Sequence, residues 1–144
     1  MPTVREIIAR KGPEVVTVSP ATTVLEAAQL MNDRGIGAVL VMEGKELRGI
    51  FTERDIMRRV VAAQRSPATT PVREVMTATL ITTRAEAPLD ECASLMTSRR
   101  IRHLPVMGPE GLCGVVTTGD LMAFQVADQA VTIAQLNSYV YDNR

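Results

Sequence analysis

The hydrophobic and polar positions of this chain occur twice in the same order, at a spacing of 65 residues. Val16–Met57 aligns without a gap onto Ile81–Met122. In each copy a short β-branched segment precedes a stretch of helical periodicity, two strand-like segments and a second helical stretch. The pattern therefore predicts a duplicated strand–helix–strand–strand–helix unit, and the identical pairs include polar residues as well as apolar ones: Glu26/Glu91, Gly49/Gly114, Thr52/Thr117 and Asp55/Asp120.

The first copy contains local signals for each of its elements. Thr23 and Glu26 have the spacing of a capping box, although Thr22 is an alternative cap, and Gly35 follows the last periodic turn. The predicted elements are a strand at Val15–Val18, a helix that ends before Gly35, strands at Ala38–Met42 and Leu47–Phe51 around a turn at Glu43–Glu46, and a helix that Thr52 caps and that runs through Ile56, Met57, Val60 and Val61.

The second copy predicts the same elements, and short segments outside the copies complete the chain. Lead-in helices are predicted at Val4–Ile8 and Val72–Met76, and the spacing of Val131, Leu136 and Val140 predicts a helix in the tail. We expect repeats at residues 1–65 and 66–128 and a helical tail at 129–144. The elements of the second copy are a strand at Leu80–Thr83, a helix at Pro88–Arg99, strands at His103–Met107 and Leu112–Val116, and a last helix that starts at Thr117.

Composition and charge narrow the class of protein. The chain has 144 residues and a formal net charge of zero. A unit of about 60–70 residues buries little core alone, so we expect the two copies to share one core. A neutral chain lacks the positive field that drives nucleic-acid binding, and apolar stretches such as Ile36–Met42 are too short to cross a bilayer. The N-terminus does not resemble a signal peptide, so we expect a cytoplasmic protein with no nucleic-acid or membrane partner.

The sequence offers few candidates for catalysis or metal binding. One histidine and two distant cysteines do not make a common zinc site. Cys92 and Cys113 are expected to be reduced, structural thiols, with a redox role as the alternative. No nucleophile–base pair is visible at a helix start. The sequence therefore predicts no enzyme, no catalytic cofactor and no metal.

The paired threonines and aspartates are the most informative polar residues. Asp55 follows Thr52 by three residues, as Asp120 follows Thr117, so each hydroxyl and carboxylate lie on one side of a helical turn. A carboxylate can accept both hydroxyls of a ribose, and a helix N-terminus favours phosphate. The alternative is that each threonine only caps its helix and each aspartate only balances the helix dipole. Two copies of this threonine–aspartate pattern favour two binding sites at helix starts. We call them the Asp55 corner, formed by Thr52 and Asp55, and the Asp120 corner, formed by Thr117 and Asp120.

Several phrases together resemble a tandem pair of CBS domains, also called a Bateman module. They are Gly49–Asp55, Gly114–Asp120, Arg100–Val106 and the lead-in Val72–Thr77. The resemblance implies a standalone bacterial CBS-pair protein of mixed α/β (α+β) class, with two βαββα repeats packed about a pseudo-two-fold axis. It also implies two clefts between the repeats that bind an adenine ligand such as AMP, ADP, ATP, NAD(H) or S-adenosylmethionine, and modules that pair into a homodimer.

Further site residues follow from the resemblance alone. Arg102 and His103 would reach the ligand phosphates, although both could instead be solvated charges at a strand end. The first copy has Gly37 and Ala38 at these positions, so we expect its cleft to bind phosphate less well. The adenine would pack on the first strand of the opposite repeat, whose residues are otherwise ordinary sheet core: Val16 and Val18 for the Asp120 cleft, and Leu80 and Ile81 for the Asp55 cleft.

The function that the sequence predicts is regulatory. The chain would sense an adenine nucleotide and pass its bound state to a protein partner, and the alternative is a protein-interaction scaffold with vacant clefts. We expect His103 to titrate near its reference pKa of about 6.5 and to tighten phosphate binding toward pH 6. Matched methionines such as Met57 and Met122 are expected in the core. Gly49 and Gly114 are expected to leave room for the cleft.

Overall fold

The helices and strands of this computed structural model follow the predicted order, except for the first strand of the second copy and the separate tail helix. The structure describes residues 2–12 and 14–142, without the side chains of residues 131, 132 and 137–142. The mixed α/β class and the duplicated unit are confirmed. The elements are α1 (Val4–Lys11), β1 (Thr17–Val18), α2 (Val24–Arg34), β2 (Ala38–Glu43), β3 (Glu46–Thr52), α3 (Glu53–Asp55), a π-helix (Ile56–Val61), a 3₁₀ turn (Val72–Glu74), α4 (Leu89–Arg99), β4 (His103–Gly108), β5 (Gly111–Thr117) and α5 (Thr118–Asp142).

The strands form two small sheets with matching hairpins. β1, β2 and β3 form a three-stranded sheet in that order, with β1 parallel to β2 and β2 antiparallel to β3. β4 and β5 form an antiparallel pair. Ala38 pairs with Thr52 in the first hairpin, and His103 pairs with Thr117 in the second. Each hairpin therefore ends at the threonine that precedes the next helix.

The predicted strand at Leu80–Thr83 is wrong, because only Thr83 pairs with β4. The Thr83 amide donates to the Pro105 carbonyl at 2.9 Å, and Thr83 forms a single bridge with Val106. In the first repeat, the Leu40 amide donates to Val16 at 3.2 Å and helps to join β1 to β2. Pro105 occupies the position of Leu40 and has no amide hydrogen to donate. The second repeat thus lacks the bond that would extend its first strand.

The lead-in segments are exchanged between the repeats. Val4 of α1 is buried with Leu104 in the hydrophobic cluster of the second repeat, whereas Val72 of the 3₁₀ turn is buried in the cluster of the first. Backbone bonds hold both segments in place: the Val4 amide donates to Ala87 at 3.0 Å, and the Val72 amide donates to Thr22 at 2.8 Å. The expectation of one shared core is therefore corrected to two clusters, each completed by the other repeat's lead-in.

The second helix of the first repeat differs from the prediction. α3 has only three residues, and the chain continues as a π-helix over Ile56–Val61. Val60 is buried, but Met57 is 57% exposed and Met122 on α5 is exposed as well. The expectation that these two methionines lie in the core is wrong, because matched apolar positions on the two helices do not all face inward.

The last helix of the second repeat and the predicted tail helix are one element. α5 runs for 25 residues, and its exposed apolar side chains include Met122, Val126, Ile133 and Leu136. The side chains of Val131 and Val140 lie outside the described residues. Within the described ranges, no helix combines the length and apolarity that a bilayer crossing needs.

Candidate ligand-binding site

Both threonine–aspartate corners form reciprocal caps at helix starts. The Thr52 amide donates to Asp55 Oδ2 at 3.0 Å, and the Asp55 amide donates to Thr52 Oγ1 at 3.3 Å. The equivalent bonds between Thr117 and Asp120 measure 2.9 and 3.0 Å. They satisfy amides that the first turn of a helix leaves without partners. Capping uses one carboxylate oxygen at each corner, so the second oxygen determines what else the corner can bind.

The Asp55 corner is closed. Its second oxygen, Oδ1, accepts a hydrogen bond from the Thr77 hydroxyl at 3.1 Å and lies 3.8 Å from Arg59 Nε. The side chain is only 8% exposed. Because both oxygens have protein partners and the side chain is largely buried, Asp55 is less accessible to a ribose hydroxyl than a carboxylate with a free oxygen would be. The geometry gives Asp55 a structural role, and the ligand role of Thr52 and Asp55 stays a prediction.

The Asp120 corner is open. Its side chain is 20% exposed, and both of its contacts fall on Oδ2: the Thr117 amide at 2.9 Å and the Lys11 ammonium at 2.8 Å. Among the described residues, none donates a hydrogen bond to Asp120 Oδ1. Lys11 Nζ also donates to the Val115 carbonyl at 2.7 Å. The second repeat therefore has a carboxylate oxygen without a hydrogen-bond donor from the described residues, on a side chain that is partly exposed.

The difference between the corners comes from the exchanged lead-in segments. Thr77 follows the 3₁₀ turn, and its amide donates to the Ile50 carbonyl at 2.9 Å. Lys11 ends α1, and its ammonium bonds the carbonyl of Val115, the counterpart of Ile50. Asp55 thus accepts a hydrogen bond from the neutral hydroxyl of Thr77, whereas Asp120 pairs with the cationic Lys11. Sequence reasoning missed Lys11, and the only signal for it was the three-residue insertion that follows α1 in the first copy.

Gly49 and Gly114 make room for these lead-in segments. A Cβ atom at Gly49 would lie 2.7 Å from Met76 Sδ and 2.8 Å from the Thr77 carbonyl oxygen. A Cβ atom at Gly114 would lie 2.6 Å from Ile8 Cδ1. The close neighbours of both glycines are therefore lead-in segments of the protein, and the expectation that the glycines also leave space for a ligand stays a prediction.

His103 lies among charged groups from both repeats and from α1. Its pKa is below the ordinary 6.5, chiefly because burial disfavours the charged ring and also because Lys11 and Arg102 repel the added proton. Glu53 and Asp120 act in the opposite direction. His103 is therefore neutral at pH 7. The tightening of phosphate binding toward pH 6 stays a prediction, and the lowered pKa shifts the pH at which we expect it downward.

The position equivalent to Arg102 in the first repeat has acidic rather than basic surroundings. A Cβ atom at Gly37 would lie 3.4 Å from the Glu53 carboxylate, and the Glu53 amide donates to the Gly37 carbonyl at 3.0 Å. In the second repeat the Arg102 carbonyl accepts the amide of Thr118, the counterpart of Glu53. The two corners thus differ in charge as well as in access.

The four residues predicted to contact adenine are partly buried. Val16 and Val18 pack against the core cluster of the first repeat. Leu80 and Ile81 line a depression of about 50 Å³ together with His103. Ligand pockets commonly measure about 300–1,000 Å³, so this depression cannot by itself enclose a nucleotide. His103, which we assigned to the Asp120 cleft, also borders the residues assigned to the Asp55 cleft.

A larger depression of about 310 Å³ lies at the end of α2. It is lined by the last turn of α2, by Ile36 and Gly37, and by Glu53 and Ile56. None of the predicted site residues lines it. Its charged lining residue is the acidic Glu53, so this depression does not favour a phosphate.

The comparisons with known proteins agree with the duplicated fold. The sequence model of the CBS domain matches residues 4–62 and 72–127. The CBS domain-containing protein YhcV of Bacillus subtilis is 38% identical over 124 residues, which span 86% of this chain and 88% of YhcV. A solved structure of a CBS-domain protein from Burkholderia ambifaria is 41% identical, with a TM-score of 0.85 over 89% of this chain and 96% of the other.

A more distant solved structure shares the fold and contains ligands. It is the CBS domain pair of protein MJ0100 in complex with 5′-methylthioadenosine and S-adenosyl-L-methionine, which is 24% identical with a TM-score of 0.77. It covers 89% of this chain and 98% of the MJ0100 chain. With both repeats matched by the domain model and with relatives of nearly the same length, the chain belongs to the CBS-domain family as a tandem pair of CBS domains.

Proposed function

We propose that this CBS pair is a non-catalytic regulatory protein that binds an adenine nucleotide such as AMP, ADP, ATP or NAD(H) at the Asp120 corner. The observation that carries the proposal is the open oxygen of Asp120. It lies at the start of α5, where His103 pairs with Thr117 and the Thr118 amide donates to the Arg102 carbonyl at 3.0 Å. Asp55 offers no comparable acceptor, because Thr77 occupies its second oxygen.

The chemistry of this corner suits a nucleoside with an anionic group. An ionised carboxylate accepts hydrogen bonds from hydroxyls, which a ribose supplies as a pair. The N-terminus of the long helix α5 and the guanidinium of Arg102 both favour phosphate. We therefore propose one favoured nucleotide per chain, at the second repeat, with the first repeat binding phosphate less well.

The ligands of the MJ0100 pair support the adenosine part of this proposal. Both 5′-methylthioadenosine and S-adenosyl-L-methionine contain a 5′-deoxyadenosyl group with two ribose hydroxyls, and they bind to a protein with the same fold. Neither ligand carries a phosphate. The preference for phosphate therefore depends on the cations of this chain, and S-adenosyl-L-methionine is the competing ligand to test.

The regulatory part of the proposal depends on α5. A ligand at Asp120 contacts the first turn of a 25-residue helix. The exposed apolar side chains of α5 offer a surface for a second copy of the chain or for a regulated protein partner. We propose a homodimer that uses this surface. Ligand binding changes such an assembly only if the ligand has different affinities for its conformations.

Two measurements test the proposed function. Calorimetry with AMP, ATP, NADH and S-adenosyl-L-methionine should detect an adenine ligand, and native mass spectrometry should give the mass of a dimer together with any retained ligand. A protein scaffold with vacant clefts is the second candidate, and the exposed face of α5 favours it. Dimerisation without binding of any of the four ligands would support the scaffold and contradict the sensor.

A further inference from the structure

Lys11 connects the N-terminal helix to the Asp120 corner. Its ammonium lies 2.8 Å from Asp120 Oδ2 and 2.7 Å from the Val115 carbonyl oxygen. An ammonium has three N–H donors, so one remains after these two bonds. The Lys11 side chain is 36% exposed, so the protein does not enclose it.

We propose that Lys11 is a ligand-binding residue that gives the Asp120 corner its preference for an anionic nucleotide over a neutral nucleoside. This inference rests on the proposed function and adds a residue to it. Asp120 Oδ1 is an open acceptor, and the third N–H of Lys11 is an open donor on the same ion pair. The carboxylate receives a ribose hydroxyl, and the ammonium donates to a phosphate oxygen.

The contact between Lys11 and Asp120 explains why Lys11 would matter for this preference. The Lys11 ammonium lies 2.8 Å from Asp120 Oδ2 and is the cation paired with this carboxylate. Without Lys11 the carboxylate keeps its negative charge and loses its ion-pair partner. A phosphate bound beside Asp120 would then be repelled by the carboxylate, whereas a neutral nucleoside would not.

The Lys11–Asp120 ion pair is partly exposed on both sides. Pairs of this kind contribute little to stability, and the Thr117 amide holds Asp120 independently. A Lys11→Met variant keeps most of the side-chain length without the charge. We therefore expect it to fold, and its melting temperature and circular dichroism provide the check.

The main experiment compares AMP with adenosine, which differ only in the phosphate. Both ligands are titrated by calorimetry into wild type, Lys11→Met and the control Lys45→Met. Lys45 is exposed in the β2–β3 turn and is the other lysine of the chain. Losing a charge-assisted bond should weaken AMP binding about tenfold or more in Lys11→Met. Adenosine affinity should change less than about threefold, and Lys45→Met should match wild type for both ligands.

Lysine acylation gives a second measurement on unaltered protein. Because the chain has two lysines, peptide mapping after brief treatment with an acylating reagent reads Lys11 and Lys45 separately. AMP should slow the acylation of Lys11 but not of Lys45. Adenosine, at a concentration that gives equal occupancy, should protect Lys11 less than AMP does. This measurement tests the inference even if Lys11→Met does not fold.

The outcomes separate the two proposals. Equal losses of AMP and adenosine in Lys11→Met would mean that Lys11 only orients Asp120, and this would overturn the inference. So would unchanged AMP affinity, or equal protection of Lys11 by the two ligands, and in those cases the proposed function would stand. If wild type binds ATP or NADH but neither AMP nor adenosine, the inference is overturned and the proposed function stands. If wild type binds none of AMP, ATP, NADH and S-adenosyl-L-methionine, the proposed function is wrong and the inference falls with it.

Discussion

Replacing each of the two aspartates by alanine should separate stability from binding. Asp55→Ala removes a buried carboxylate that accepts bonds from the Thr52 amide and the Thr77 hydroxyl. Asp120→Ala removes a more exposed carboxylate whose second oxygen has no partner among the described residues. We expect the first variant to lose mainly stability and the second to lose mainly ligand affinity.

The expected magnitudes follow from these contacts. Hydrogen bonds to a charged group contribute about 1.5–3 kcal/mol, and about 1 kcal/mol shifts the melting temperature of a protein of this size by about 2–4 °C. Asp55→Ala should therefore lower the melting temperature by roughly 3–12 °C. At Asp120, water replaces part of the lost bonds, so the loss of stability should be about 1 kcal/mol or less. Loss of the ribose acceptor should weaken adenosine binding about tenfold or more.

Thermal denaturation and adenosine calorimetry on both variants provide the test. Adenosine is the better probe here, because removing Asp120 also frees the Lys11 ammonium and would alter phosphate binding by a separate route. A refutation would be Asp55→Ala with wild-type stability and weakened adenosine binding. Equal binding losses at the two corners would also refute the argument, since they would mean that the buried oxygens of Asp55 are accessible to ligand.

Three further predictions concern packing, titration and charge. Gly49→Ala should destabilise the protein by about 1–3 kcal/mol in denaturant unfolding, because a backbone carbonyl lies 2.8 Å from the new Cβ; Gly114→Ala should cost less, because it meets only the end of a flexible side chain. NMR of His103, the single histidine, should give a pKa below 6.5. The folded state then binds fewer protons than the unfolded state, so the free energy of unfolding should fall as the pH drops below about 6.5. Arg102→Ala should weaken AMP binding and reduce its salt dependence, whereas Arg48→Ala on β3 should change neither, and unchanged salt dependence in Arg102→Ala would contradict a phosphate contact.

Local signals in the sequence predicted most elements of the fold. The α2 cap at Thr23, the left-handed residue at Gly35 and the two hairpins all depend on residues a few positions apart. The prediction of a strand at Leu80–Thr83 was wrong for a non-local reason: the amide hydrogen that the strand would need is absent at Pro105, on the neighbouring strand β4. The alignment of the repeats predicts the same backbone hydrogen bonds in both copies, but Pro105 has no amide hydrogen for the bond that Leu40 makes in the first copy.

The candidate site was predicted only in part, for a similar reason. The polar corner phrases were visible as a repeated pattern, but their accessibility depends on the lead-in segments that pack against them. Lys11 lies 109 positions from Asp120, and Thr77 lies 22 positions from Asp55. No periodicity or capping rule relates residues at those distances. The exchange of lead-ins between the repeats is what brings them together.

The structure explains how one duplicated phrase can serve two purposes. Each aspartate caps its helix with one oxygen, so both copies retain the residue for a local structural reason. The partner of the other oxygen comes from a lead-in segment, and these segments differ in length and sequence between the copies. At the buried Asp55, the hydroxyl of Thr77 donates to the second oxygen. At Asp120, the ammonium of Lys11 binds the oxygen that already caps the helix, so the second oxygen has no donor among the described residues. Differences in the lead-ins, with the caps unchanged, are therefore sufficient to leave an oxygen without a protein donor at one of two equivalent corners, and this is the corner at which we propose ligand binding.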